Sequence, residues 1–314
     1  MNAQDLADVG ARWQAAMLAG DWEAAWQQTD RIELPRRAAQ GRPGFVRDAS
    51  QLVWDGTPVA GRSVRVRCLR GLGDALQFMR FVPALQAQAR ELHFLVPPAL
   101  LGLLQGAPGL GLVSNAWTDH PPPHEVEFEV MELAYACRST PATVPPPYPL
   151  ADWVRQREVF MLPARPEEWR VGLVWGASAW DGSRSIPLDR LDPLLRTPGV
   201  RFYDLQQEAT ERDARMVPLW RRTADALSAA AALLELDLVI TIDGMPAHLA
   251  ATLGRPTWLL LKHEADWRWG QSRSDTPWYP TMRLFRQPAP DDWDGVISEV
   301  TRALADEVKA SRWR

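Results

Sequence analysis

Seven short strand-like runs constrain this chain more than any other feature. SVRVRCL (63–69), HFLV (93–96) and LGLV (110–113) lie in the first half; RVGLVW (170–175), RFYDLQ (201–206), LDLVITID (236–243) and PTWLLL (256–261) lie in the second. Between them come stretches with apolar residues at helical spacing, such as DALQFMRFVPALQAQAR with Ala75, Met79 and Val82, PPALLGLL, LSAAAALLEL and PAHLAATLG. Strand, helix, strand in repetition implies parallel pairing with right-handed crossovers. The proline-rich stretch RSTPATVPPPYPL (138–150) cannot form a regular element and is read as an interdomain linker. The expected architecture is therefore α/β, with two facing Rossmann-like domains and a ligand crevice at the carboxyl ends of both sheets.

Two further segments flank this pattern. Residues 4–32 read as a helical hairpin, with Leu6, Trp13, Met17, Trp22, Ala25 and Trp26 as its apolar positions and AGD as the break. The connector LPRRAAQGRPG follows it. At the other end, WDGVISEVTRALADEVKA carries Val296, Ile297, Val300, Leu304 and Val308 on one face, which suits a closing amphipathic helix. The predicted organisation is 1–45 hairpin and connector, 46–150 first Rossmann-like domain, 151–290 second, and 291–314 closing helix.

Composition narrows the functional classes. At 314 residues the chain can hold two domains, and 46% hydrophobic with 24% charged residues is a globular profile. A formal charge of -4 gives no global attraction to nucleic acid or an anionic membrane. Cys68 and Cys137 sit beside apolar residues and are expected to be reduced core thiols. Neither CxxC nor HExxH occurs, so no residue is assigned to a metal. The acidic helical start lacks the basic flank of a secretory signal, and no apolar run approaches the roughly 20 residues that span a bilayer. These features predict a cytoplasmic protein without a transmembrane segment.

Candidate site residues fall where strands end. Asp74 lies in GLGDALQFMR, at the first strand-to-helix turn, where Gly71 and Gly73 allow a sharp turn and a close ligand. It can serve as a helix cap or as a catalytic carboxylate at the mouth of an α/β crevice. In ITIDGMPAHLA, Asp243 ends a strand, Gly244 makes the turn, and Met245 and Pro246 open a helix whose free amides suit a diphosphate. His248 follows one turn on, as a donor contact or a buried, hydrogen-bonded histidine. The loop WGASAWDGSRSIP offers Ser178, Ser183, Arg184 and Ser185 to phosphate oxygens, or is an ordinary polar loop. Gln206 and Glu208 in LQQE are placed to meet a base or ribose. His263 and Glu264 end the next strand, and the DWRWGQSRSDTPWYP stretch lines the crevice rim or packs against the second half.

Taken in order, WDGTPVAGRSV, GLGDALQFMRFVPAL, RSIPL, YDLQ, LDLVITID-x(4)-HLA-x(2)-LGRP and DWRW followed by TPWYPTMRLFRQ resemble bacterial glycosyltransferases of the heptosyltransferase-like type (ADP-heptose:lipopolysaccharide heptosyltransferases), especially those joined to tetratricopeptide repeats. The resemblance runs from about residue 50 to 287. It implies a GT-B fold, a nucleotide diphosphate sugar as donor substrate with no bound cofactor, a protein or glycan hydroxyl as acceptor, and metal-independent inverting transfer. It also implies that Asp74 is the general base, that Arg184 and Ser178 hold phosphate, and that Asp243, Gly244, Met245 and His248 belong to the donor motif. The GDWEAAW hairpin then looks like the remnant of a repeat array, packed as a cap because a working array needs about three repeats. Related sequences usually carry threonine or serine where this chain has Gly244, and Gln or Glu before GLGD where it has Leu69 and Arg70. A nucleotide-binding module without turnover and a sugar-nucleotide epimerase are the alternative readings of the same fold.

Overall fold

The computed structural model describes residues 3–39, 52–163, 168–177 and 181–311. The chain divides into two units, one comprising Met1–Pro146 with Asp266–Gln271, the other Pro147–Ala265 with Ser272–Arg314.

The first unit opens with α1 (Ala3–Ala19) and α2 (Trp22–Ala39), packed on each other as a hairpin. Met17, Trp22, Ala25 and Trp26 are buried, whereas Leu6 is exposed. The hairpin is fastened as a cap: Trp26 Nε1 donates to the Ser139 carbonyl at 2.7 Å, Tyr135 Oη to Asp30 at 2.7 Å, and Trp13 meets Trp267 edge-on. The expected connector begins too early, because α2 runs on through Pro35. Buried Glu33 and Arg36 explain this. Arg36 Nε holds Glu33 at 2.7 Å and its Nη2 holds the Trp54 carbonyl at 3.0 Å, so tertiary anchors offset the amide that proline lacks.

Next come β1 (Ser63–Arg67), α3 (Leu72–Phe78), α4 (Val82–Gln86), β2 (Glu91–Val96), α5 (Pro98–Leu104), β3 (Leu112–Asn115), β4 (Val126–Glu129) and α6 (Glu132–Ala136). The strands form a parallel sheet in the order β3-β2-β1-β4. Val64, Val66, Leu92, Phe94, Val113, Val126 and Phe128 make one buried face. The single helix expected after β1 is broken by a 3-10 turn at Met79–Phe81, because Pro83 has no N–H to continue the ladder. Strand β3 starts two residues later than expected. Gly109 and Gly111 both have positive φ, and a Cβ on Gly111 would lie 2.3 Å from the Leu92 carbonyl oxygen.

The second unit contains α7 (Leu150–Arg157), β5 (Trp169–Val174), α8 (Asp192–Leu195), β6 (Val200–Asp204), β7 (Val217–Pro218), α9 (Ala226–Leu234), β8 (Leu238–Ile242), α10 (Met245–Thr252), β9 (Thr257–Leu261), β10 (Met282–Arg286) and α11 (Trp293–Ser311). Its sheet is parallel, in the order β10-β9-β8-β5-β6-β7. Asp225 starts α9 by accepting from Leu227 and Ser228 N–H, each at 2.9 Å. Val296, Ile297, Val300, Leu304 and Val308 of α11 join the cluster of Val171, Leu173, Leu238, Ile240 and Leu260. Each such side chain contributes about 2 kcal/mol of apolar burial.

Both sheets reverse their direction of growth beside their first strand, between β4 and β1 and between β8 and β5. Ligands of open α/β sheets bind outside the carboxyl ends of the strands at such a reversal. No helix among the described residues is long and apolar enough to cross a membrane. Cys68 and Cys137 are both free; Cys68 is buried as expected, but Cys137 is exposed because it ends the last turn after α6.

Candidate functional site

In the first unit, the turn after β1 delivers Asp74. Gly71 is the capping residue of α3, in extended conformation, and Asp74 is the third residue of the helix. Its Oδ2 accepts from Gly71 N–H at 2.9 Å, so it closes the turn from inside the helix rather than capping it. Gly71 and Gly73 are not in the left-handed region. A Cβ on Gly71 would meet the Asp74 carboxylate at 3.3 Å, so close approach is what the site asks of this glycine.

The other oxygen of Asp74 is held by Arg268, which comes from Asp266–Gln271, the stretch of later sequence that belongs to this unit. Arg268 also pairs with Asp266 at 2.9 Å and lies over the Trp267 ring, 4.9 Å from its centre. Beside them, Glu129 ends β4; its carboxylate accepts from Met131 N–H at 2.8 Å and Leu69 N–H at 3.4 Å. Burial, reinforced by the Asp74 charge, pushes the Glu129 pKa up despite these bonds. The carboxyl ends of β1 and β4 thus present two carboxylates of different environment, with the Arg268 guanidinium on one of them. Sequence reasoning left Arg268 between rim and packing. Its only signal was a cation set between two tryptophans. Trp269, Trp278 and Tyr279 from the same motif are fully buried packing residues.

In the second unit, the loop after β5 and the turn after β8 meet. Arg184 Nη1 donates to the Asp243 carbonyl at 2.8 Å, which carries a cation across the reversal point of this sheet. Gly244 caps α10 in extended conformation, which any residue adopts, and a Cβ there would meet only Pro246 Cδ at 3.7 Å. The expected anion nest over residues 244–247 is narrower than its sequence suggests. Pro246 has no N–H, and Ala247 N–H is spent on the Gly244 carbonyl at 3.1 Å, which leaves Gly244 and Met245 as donors.

His248 is buried, with Nδ1 3.0 Å from Tyr279 Oη and Nε2 4.0 Å from Asp243. It packs behind the turn after β8. Ser185 Oγ accepts from Ala177 N–H at 2.9 Å and closes the loop after β5. Ser178 lies outside the described residues. Gln206 is placed differently from expectation. Its Oε1 accepts from Trp175 N–H at 3.2 Å and Gly176 N–H at 2.8 Å, while Nε2 donates to the Gly176 and Glu208 carbonyls at 3.1 and 3.0 Å. All its hydrogen-bonding capacity toward a base or ribose is thereby taken up by backbone, and the Glu208 side chain is exposed. A Cβ on Gly176 would come within 3.0 Å of that amide, so glycine makes the clamp possible. His263, two residues past β9, pairs with Gln287 through both backbone and ring.

Lys262 was missed by sequence reasoning. It follows β9 directly, and its Nζ lies 3.0 Å from Asp181 and 2.9 Å from Ser183 Oγ. A lysine closing a buried strand was its only signal. The second unit therefore gathers Arg184, Lys262, two helix-terminal amides and several hydroxyls, a set of donors suited to a polyanion.

No family model matches the chain. Protein FlbA of Caulobacter vibrioides is 25% identical over 298 residues, covering 81% of this chain and 48% of FlbA. The chain thus spans about half the length of that curated relative. Among solved structures, a family 9 glycosyltransferase from Veillonella parvula superposes with a TM-score of 0.55 at 10% identity, covering 80% of this chain and 98% of that one. The E. coli heptosyltransferase WaaC with ADP gives 0.54 at 13%, covering 79% and 99%. The iron-containing dodecameric glycosyltransferase TibC of enterotoxigenic E. coli gives 0.52 at 11%, covering 81% and 77%. Among the described residues no three of His, Cys, Asp and Glu gather to hold a metal ion.

Proposed function

We propose that this chain, whose two parallel-sheet units have the fold of the heptosyltransferases and family 9 glycosyltransferases, is itself a glycosyltransferase using a nucleotide diphosphate sugar. The observation that carries this reading is Arg184 on the Asp243 carbonyl, a guanidinium fixed beside a helix N-terminus at the reversal point of the second sheet. Such a terminus and a fixed cation together favour a diphosphate.

The proposed reaction is metal-independent and inverting. Asp74 takes the proton of an acceptor hydroxyl, on a protein or glycan, as that oxygen attacks the anomeric carbon. The bond to the diphosphate breaks on the opposite side, and the charge that gathers on the leaving nucleotide is met by Arg184 and the Gly244 and Met245 amides. These donors are already in place before reaction and so stabilise the transition state more than the ground state. Arg268 fixes one oxygen of Asp74 and the Gly71 amide fixes the other, so the carboxylate approaches the hydroxyl with a defined orientation. ADP-heptose is the first donor to test, since TibC has been solved with an ADP-linked heptose.

The test is transfer of label from a panel of nucleotide sugars to acceptors in a cell lysate. Asp74→Asn is expected to lower transfer by about 10²–10⁴-fold, the usual worth of a general base, with donor binding retained. Arg268→Gln is expected to lower kcat with donor KM unchanged, and Arg268→Lys to recover part of it. Transfer by Asp74→Asn at the wild-type rate refutes the base assignment. A chain that uses no nucleotide sugar and binds no nucleoside diphosphate refutes the reading as a whole.

A further inference from the structure

The two cationic side chains at the carboxyl ends of β5 and β9 converge on one carboxylate of the chain itself. Asp181 Oδ2 lies 3.0 Å from Lys262 Nζ and 3.4 Å from Arg184 Nε. Asp181 Oδ1 accepts from the Ser183 N–H at 3.2 Å and the Ser183 hydroxyl at 2.5 Å. Lys262 Nζ also touches Ser183 Oγ at 2.9 Å, and Arg184 reaches on to the Asp243 carbonyl. One anion thus has two cations, a hydroxyl and a backbone amide around it, which is the donor set that phosphate oxygens attract. An ion pair made only for local stability needs one partner, and at partial exposure it is worth little. The side chains of Lys262, Asp181 and Arg184 are 31%, 25% and 16% exposed, open to an entering ligand yet partly shielded from water. The Ser183 hydroxyl, and after it Lys262, hold the Asp181 carboxyl below the usual carboxylate range.

We propose that Asp181 is an internal stand-in for the donor diphosphate, holding Lys262 and Arg184 in an anion-binding pose until a nucleoside diphosphate displaces it. Lys262 then becomes a phosphate ligand. This inference rests on the reading of the second unit as the diphosphate site, and adds to it a further ligand and a competitor. Asp181 opposes the incoming ligand twice: its contacts must be broken, and its charge repels the phosphates. What it contributes in return is order, because Lys262 would otherwise sample many rotamers.

The sign of one substitution separates this role from loop scaffolding. Wild type, Asp181→Asn, Lys262→Gln and Lys262→Arg are titrated by calorimetry with ADP, UDP, GDP, TDP and inorganic pyrophosphate. Loss of one charge-assisted contact corresponds to about tenfold in affinity. The proposal expects Asp181→Asn to bind about tenfold tighter, Lys262→Gln about tenfold weaker, and Lys262→Arg near wild type. Binding by Asp181→Asn where wild type shows none also supports it. Equal or weaker binding by Asp181→Asn overturns the stand-in, and unchanged binding by Lys262→Gln overturns the ligand role, both with the donor site intact. If no variant binds any nucleoside diphosphate or pyrophosphate, the diphosphate site itself is refuted and the inference falls with it.

Discussion

Replacing Gln206 by alanine tests the distinction between a ligand contact and a backbone clamp. The side chain is 7% exposed, and its amide bonds to four backbone groups: N–H of Trp175 and Gly176, and C=O of Gly176 and Glu208. The orientation of the amide is set by this network, since two donors must face its oxygen and two acceptors its nitrogen. Each lost bond costs about 1 kcal/mol, so the full loss is about 4 kcal/mol. Trp175 is buried, but Gly176 is half-buried and Glu208 exposed, so water replaces part of what is removed. The expected destabilisation of this loop is therefore about 2–4 kcal/mol. Because the chain has two units, a global unfolding curve would blur the effect. Native-state hydrogen exchange at Trp175 and Gly176 reads it directly, with about 30- to 10³-fold faster exchange expected. Exchange within threefold of wild type would refute the clamp. If nucleotide affinity fell while exchange held, Gln206 would be a ligand residue after all.

Two further substitutions follow from the geometry. Gly244→Thr should fold with unchanged Tm, since the backbone there is extended and the new Cβ meets only Pro246 at 3.7 Å; it should bind nucleoside diphosphate more tightly by titration, and a fall in Tm of several degrees would contradict the open space. Glu132 is buried, and desolvation pushes its pKa up to about 7 although it accepts from Val53, Trp54 and Glu129 N–H. A raised carboxyl favours the folded state while protonated, so its contribution is complete below about 4.5 and is lost as pH rises through about 7. The ceiling is about 3 kcal/mol. Thermal melts between these limits should show Tm falling with rising pH, and Glu132→Gln should flatten that slope; an identical slope in the variant would sink the assignment.

The strands most legible in the sequence were those buried on both faces or carrying clean alternation. LVITI and TWLLL can hardly be anything else, because five consecutive buried residues leave no polar face for a surface helix. Strand β4 was missed for the opposite reason. In VEFE two glutamates alternate with Val126 and Phe128, and acids disfavour strands. The strand exists because Glu127 lies across from Arg65 in β1 and bonds Arg67 at 2.6 Å, a pairing between residues some sixty positions apart. Strand β10 was likewise missed, lying inside the TPWYPTMRLFRQ motif, and pairing with β9 along its full length makes it a strand.

Among the site residues, the strand-end positions of Asp74, Arg184 and Asp243 came from periodicity, since a turn after each buried strand places its residues at the carboxyl edge of a sheet. Their partners did not. Arg268 reaches Asp74 across 194 positions, and Lys262 reaches Asp181 across 81. Gln206 looks in sequence like any polar residue ending a strand, yet parallel pairing of β5 with β6 aims its amide into the neighbouring loop. Local sequence by itself determined where the backbone alternates, turns and starts its helices, because those preferences act over a few residues. Only the tertiary structure decided which charge neutralises which and which polar groups remain available to a ligand. Those outcomes depend on distances between strand ends that no local pattern encodes.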